Sequence, residues 1–464
     1  MSFVKKRAGC VDEEIDRGNN VATPYFREKV GKCLGRVGRI FLRTVDIDAP
    51  PLFSRTNLYV EASKEDLVGA PNSGTFLGKN RRSGRPSGTT DEAVEGIRVL
   101  HLIDSTNTGG VQTLLKVLFE TQKNNKDIFL YALRRAPVIL RVEHENYRIA
   151  KLTGKISSAL GIFAVYVLIK KQQISILHCH QIKSQLMGAL LKVFFFKNLK
   201  IVFHEHGPIL SDTPHNFVFR FYVPFCKFCK RHFDLFIGVS KVTKQEMISK
   251  AGIPSRKILV MYNCVNLENF KNALSSQARK DGRERLGIRR DEYVIGLVGR
   301  LAKIKGFEYL IAALPLLGFK YKAVIVGHGP ERENLEELAV NEGVASNVIF
   351  LGYRDYLPTI YPIFDVLVAP SLSESFGLMA IEAQAAGVPA IVSSVGGLPE
   401  VVSDGENGLV VPPRDVGAIA EKLIALRHDP SLGHKLIQNG LENAARFGVD
   451  DYIRKLEKAY SSLI

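Results

Sequence analysis

Asp365–Val411 reads DVLVAPSLSESFGLMAIEAQAAGVPAIVSSVGGLPEVVSDGENGLVV, and its punctuation decides the fold. The apolar run Val366–Ala369 predicts a buried strand, and Pro370, Ser371, Ser373 and Ser375 predict the loop that leaves it. A helix has to start near Phe376 or Gly377, because Leu378, Ala380, Ile381 and Ala383 are good helix formers and Gly387-Val388-Pro389 stops them. A second strand follows at Pro389–Val392. Strand, helix and strand in this order form one unit of a parallel sheet.

The first amides of such a helix have no partner inside it, so they attract an anion, and Gly377 lets a phosphate approach the main chain. Carboxylates bracket the point. Glu374 precedes the helix, and Glu382 lies inside it, roughly 7 Å up the axis from Gly377 at ~1.5 Å per residue. One acid for a sugar, amides for a pyrophosphate and a second acid for ribose hydroxyls would hold a nucleoside diphosphate sugar. A surface helix with two solvated glutamates gives the same pattern.

ESFGLMAIE, with its two glutamates eight positions apart, resembles the signature of family 4 retaining glycosyltransferases of the GT-B fold. GGLPEVVSDGENGLVV is similar to the same family's downstream pattern, and VGRLAKIKGFEYLIAAL (Val298–Leu314) to its phosphate-contacting loop. The resemblance runs from about Ile97 to the C-terminus. It implies two Rossmann-like, doubly wound α/β domains facing a cleft. It also implies donor contacts from Gly299, Gly377, Leu378, Met379 and Glu382, with Arg300 and Lys305 on the departing diphosphate and Glu374 orienting the sugar.

Upstream, Arg98–Asp104 predicts a strand and Ser105–Gly110 a glycine loop before a helix, the opening of a Rossmann-like unit. The resemblance places Gly110 beneath the donor. Further strands are expected at Ile128–Ala132, Ile174–Cys179, Lys200–His204, Leu235–Val239, Tyr293–Val298, Ala323–Val326 and Val348–Gly352, with helices at Lys155–Lys170 and Ser184–Phe196. His178-Cys179-His180 and His204-Glu205-His206 fall at strand ends, where open parallel sheets form their crevices. Buried structural imidazoles, substrate contacts and metal ligands all fit that placement; the resemblance favours His180 near the transferred hexose, with His206 second. Met261–Asn266 departs from the family pattern, since Cys264 and Asn266 replace a glycine and an aspartate.

The charge of +16 is unevenly spread. Residues 96–272 hold 26 Lys+Arg against 10 Asp+Glu, while residues 273–464 hold 21 against 24. A basic middle third suits an anionic partner such as a lipid diphosphate acceptor, a membrane leaflet or nucleic acid. Asn216–Phe233 interleaves aromatic and basic residues, as do interfacial segments and single-strand binders. No apolar run reaches membrane-spanning length. The six cysteines are scattered and no secretion signal precedes them, so reduced thiols in a cytoplasmic compartment are expected. Cys226 and Cys229 have metal spacing but lack a second pair.

The expected organisation is an extension over 1–95, largely disordered or linker, an acceptor domain over 96–272 and a donor domain over 273–464. The last helix, Asp450–Leu463, is expected to pack back on the first domain, and Asn272–Arg290 to be the polar link between them. Asp46-Ile47-Asp48 mimics a cation-binding pattern by coincidence. The function expected is transfer of a sugar, with retention, from a nucleotide sugar to a glycan or lipid-linked acceptor in cell-surface polysaccharide or lipopolysaccharide synthesis. The enzyme would be cytoplasmic or peripheral on the inner membrane face, would need no metal and would bind no nucleic acid. A nucleotide-sugar epimerase of the same fold and a basic nucleic-acid-binding protein are the competing readings. A Rossmann dehydrogenase is disfavoured because no G-x-G-x-x-G follows the first strand.

Overall fold

The computed structural model describes residues 96–106, 109–134, 142, 144–149, 157–207 and 231–464. The extension over 1–95 with Asp46-Ile47-Asp48, the Cys226/Cys229 pair and most of the aromatic-basic stretch lie outside the described residues.

Among the described residues thirteen strands form two sheets. The first contains β1 (Val99–Ile103), β2 (Ile128–Ala132), β3 (Tyr147–Ile149), β4 (Ile176–Cys179), β5 (Lys200–Glu205), β6 (Leu235–Gly238) and β7 (Ile258–Val260), in the order β3-β2-β1-β4-β5-β6-β7. The second contains β8 (Tyr293–Val298), β9 (Tyr321–Val326), β10 (Val348–Gly352), β11 (Val366–Ala369), β12 (Ala390–Ser393) and β13 (Leu409–Val411), in the order β10-β9-β8-β11-β12-β13. All pairings are parallel. The strand order reverses beside β1 in one sheet and beside β8 in the other, so each sheet has a switch point at its carboxyl edge.

The central strands are continuous apolar runs because both faces are covered; β1, β4, β11 and β12 are buried throughout. Most of the expected strands form within two residues of their predicted limits. The three unforeseen ones, β3, β7 and β13, have three residues each, too few to show a period.

The polar stretch Asn272–Arg290, expected to link the domains, carries regular structure. A 3₁₀ segment (Leu267–Leu274) leads into the helix Ser276–Arg285, which Arg279 and Arg283 pin to Asp365, Arg283 at 2.6 Å. Asp365 Oδ2 also accepts from the Val294 amide at 2.6 Å. This polar stretch is thereby fastened to the strand that opens the Asp365–Val411 unit.

The helix Val449–Ser461 adds Val449, Tyr452, Leu456 and Tyr460 to the core of the first sheet, beside Ile103, Leu114 and Ile176. Val265 joins this crossing, donating to Phe447 O (2.9 Å) and accepting from Val449 N (3.1 Å). Among the described residues no helix is long and apolar enough to cross a membrane.

Candidate active site

The site is assembled where β8 and β11 end. Lys305, in the loop after β8, forms an ion pair with Glu374, in the loop after β11, and both side chains are mostly buried. The two loops are stitched together: Leu372 N donates to Ile304 O at 2.8 Å, and Gly306 lies so close to Pro370 that a Cβ there would fall 2.1 Å from its carbonyl oxygen. Ser393, at the end of β12, donates through Oγ to Ser371 O at 2.7 Å and fixes the start of the second loop.

Gly377 ends that loop with φ +103°, the left-handed region that side chains avoid, and a Cβ would fall 2.4 Å from Leu398 Cδ2. No described side chain caps the helix Leu378–Ala385 that starts there. Its first amides therefore remain available to an acceptor from outside the helix. Leu378 and Met379 are half-buried beside this point, and Gly299 and the exposed Arg300 stand at the end of β8. The structure thus brings Lys305, Glu374 and the Gly377 helix start together at one switch point.

Glu382 sits elsewhere in the same helix. Its carboxylate accepts from the Tyr361 hydroxyl at 2.7 Å, and burial raises its pKa to about 7, against a smaller opposing effect of that hydrogen bond. Tyr361 is fully buried and was not a candidate from the sequence, where a Tyr-Pro pair in a loop carries no signal of a carboxylate partner.

Across the first sheet the crevice has a different chemistry. Gly110 opens the helix Gly110–Thr121 in exposed, open space. The neighbouring helix Ile182–Phe194 is closed at its start: Asp104 accepts from the amides of Ser184 (2.7 Å) and Lys183 (3.0 Å). Behind it lie five histidines. His180 Nε2 meets His101 Nδ1 at 2.9 Å and its Nδ1 meets His206 Nε2 at 2.9 Å, so both nitrogens of the expected hexose contact are engaged with other imidazoles. His178 bridges His204 (3.1 Å) and Tyr460 (2.5 Å). Burial, followed by mutual repulsion for His178, His180 and His204, lowers all five pKa values, to about 3 for His101 and His206. The group is therefore neutral at physiological pH. His101 was missed, although a histidine in the apolar run of β1 is itself a signal; Tyr460 was hidden in an ordinary amphipathic helix.

Two triads, His101/His178/His180 and His180/His204/His206, offer ring nitrogens within 4.8 Å of one another, a spacing a metal could accept. Most of those nitrogens already serve in hydrogen bonds between rings.

A second contact missed in the sequence joins the two halves. Glu400, from GGLPEVV, accepts from the amides of Lys241 (2.9 Å) and Val242 (3.0 Å) at the start of the helix Lys241–Ser249, and from the Tyr262 hydroxyl (2.9 Å). Tyr262 in turn stacks on Phe376, the residue before Gly377, with ring centroids 5.6 Å apart.

Comparison with known proteins agrees with this architecture. Residues 278–443 match the model described as glycosyl transferases group 1, and residues 108–269 the model described as glycosyltransferase family 4. An uncharacterized glycosyltransferase of Methanocaldococcus jannaschii is 35% identical over 278 residues, 58% of this chain and 68% of that protein. A D-inositol 3-phosphate glycosyltransferase of Corynebacterium urealyticum is 35% identical over 219 residues, 45% of this chain and 51% of its own length. Among solved structures, Anabaena HepE in complex with UDP-glucose superposes with a TM-score of 0.70 at 21% identity, covering 79% of this chain and all of its own. With the strand order, the loop pair at the second switch point and these matches in hand, the chain belongs to the group 1, family 4 glycosyltransferases and has the GT-B fold.

Proposed function

We propose that this glycosyltransferase takes a sugar from a nucleoside diphosphate sugar and delivers it, with retention at the anomeric carbon, to a hydroxyl of a glycan or lipid-linked acceptor. The observation that carries the reading is the Lys305–Glu374 pair held between two stitched loops beside an uncapped helix start. A diphosphate competes for the lysine and sugar hydroxyls compete for the glutamate, so one ligand satisfies both partners. Lys305 and Arg300 would then stabilise charge developing on the leaving diphosphate, aided by the amides from Gly377 to Met379, each contact supplying ~3 kcal/mol. With these cations in place the proposed chemistry assigns no task to a metal. Glu382 would meet the ribose from inside the helix, which requires its carboxylate to share or exchange Tyr361, and Gly110 would lie beneath the donor.

The UDP-glucose in the Anabaena neighbour is in keeping with a nucleotide-sugar donor. The excess of basic residues over 96–272 supports an anionic acceptor such as a lipid-linked diphosphate, presented at a membrane surface. Surface-polysaccharide synthesis is the setting in which such an acceptor is used. The test is thermal stabilisation by a panel of nucleoside diphosphate sugars. At a hundredfold excess over Kd the matching donor should add about 2.7 kcal/mol. A panel that leaves the melting temperature unmoved removes the reading.

A further inference from the structure

The five histidines and Tyr460 form one unbranched hydrogen-bonded chain. From one end it runs His204 Nδ1 to His178 Nε2 (3.1 Å), His178 Nδ1 to Tyr460 OH (2.5 Å), Tyr460 OH to His101 Nε2 (3.4 Å), His101 Nδ1 to His180 Nε2 (2.9 Å) and His180 Nδ1 to His206 Nε2 (2.9 Å). A neutral imidazole has one N–H and one bare nitrogen, and a phenol has one hydrogen. When an interior member donates to one neighbour it has to accept from the other, so the direction of one link fixes the next. With the phenol's hydrogen used in one of its two links, the chain points one way throughout, and its two ends are unlike: one outward N–H and one outward bare nitrogen.

The outward atoms are His204 Nε2 and His206 Nδ1. Both are buried and have no hydrogen-bond partner among the described residues. The ends also lie side by side, with ring centroids 3.9 Å apart, and a ring nitrogen of each residue falls within 4.8 Å of the other. One oxygen between two nitrogens can span about 5.6 Å, twice a hydrogen bond of about 2.8 Å. A buried donor and a buried acceptor left unmatched are both unfavourable, so the arrangement calls for a group that answers both.

We propose that a single hydroxyl oxygen bridges His204 Nε2 and His206 Nδ1, accepting a hydrogen bond from one ring and donating to the other. A metal ion fits less well. It needs bare nitrogens at both ends, which obliges both halves of the chain to donate inward onto Tyr460 and strands the phenol's own hydrogen. The hydroxyl has two sources: an enclosed water, or an alcohol of the sugar acceptor. The second source rests on the transferase reading, whereas the bridge itself does not.

The test uses the full chain labelled with ¹⁵N-histidine and long-range proton–nitrogen correlation at neutral pH, with no donor present. The expected result is five neutral rings sharing one direction, with one outward nitrogen protonated and the other bare. Two outward nitrogens in the same state, a charged ring within the group, or stoichiometric copurifying metal lost in His204→Gln would overturn the proposal. Tyr460→Phe leaves the bridge as the sole connection between the two halves, so of His101 Nε2 and His178 Nδ1 one should be protonated and the other bare; both in the same state would mean that no hydroxyl joins the ends. Should that variant fail to fold, the unmodified protein still gives the decisive reading. Methyl hexosides separate the sources. An acceptor hydroxyl shifts both outward resonances and makes His206→Phe raise the acceptor KM about tenfold at constant donor KM. An enclosed water leaves the resonances in place and shows exchange cross-peaks to them.

Discussion

The two sheets share a strand order and a switch point, yet they furnish their crevices in opposite ways. Beside β1 and β4 the polar groups are neutral imidazoles stacked in the dark, and the helix start at Ile182 is closed by Asp104. Beside β8 and β11 they are a lysine, an arginine and a glutamate, and the helix start at Leu378 is left without a side-chain cap. One scaffold can thus offer either hydrogen-bonding surfaces without net charge or a concentrated charge pattern, depending on a few residues at strand ends. Neutral groups suit hydroxyls, and fixed cations with bare amides suit a diphosphate.

Acid provides the strongest way to break this contrast. His101 and His206 have folded values of about 3 against an ordinary 6.5, so the unfolded chain takes up protons first as pH falls. Stability present above pH 6.5 should be lost below it, by about 2 kcal/mol for each of the two rings at pH 5. Denaturant titrations of the parent and of His101→Gln at pH 7.5 and 5 read this by difference, which cancels the opposing contribution of Glu382; the variant should lose about 2 kcal/mol less on acidification, and an unchanged pH dependence would mean that His101 is not held neutral by burial.

In the charged crevice, Lys305→Ala should lower kcat by about 10²–10³ with little change in acceptor KM, and Arg300→Ala somewhat less. Full turnover by either variant would remove that residue from the leaving-group role. Glu382 has the opposite pH signature to the histidines. Its folded pKa of about 7 exceeds the ordinary 4.5, so the folded chain keeps a proton that the unfolded chain releases, and stability falls as pH rises from 4.5 to 7. Glu382→Gln should abolish that fall, gaining up to about 3 kcal/mol at pH 7.5 relative to the parent, provided Tyr361 keeps its acceptor. The smallest effect belongs to the contact between the halves: Glu400→Gln should cost about 1 kcal/mol in unfolding experiments, since the amide still accepts one of the two backbone hydrogen bonds.

What could be read from the sequence followed from whether a signal was local. Val366–Ala369, Gly377 and the Lys305 loop were legible because a strand, a turn and a helix start are set by neighbouring residues, and the family resemblance attached chemistry to them. Asp365, Glu400, Tyr361 and Tyr460 were not. Their roles come from partners far along the chain: Arg279 and Arg283 for Asp365, Lys241 for Glu400, Glu382 for Tyr361 and His178 for Tyr460. A polar link also concealed a helix, because Arg279 and Arg283 look like solvent-facing residues until the acid they clasp is brought beside them.

The placement of Tyr460 has a consequence for biogenesis. The phenol that completes the hydrogen bonding of His178 emerges from the ribosome 282 residues after it, roughly 14–56 s later at ordinary elongation rates. Throughout that interval the nascent first sheet lacks the helix that seals one of its apolar faces. The first sheet is translated before the second, yet its core can be completed only after the second has been made.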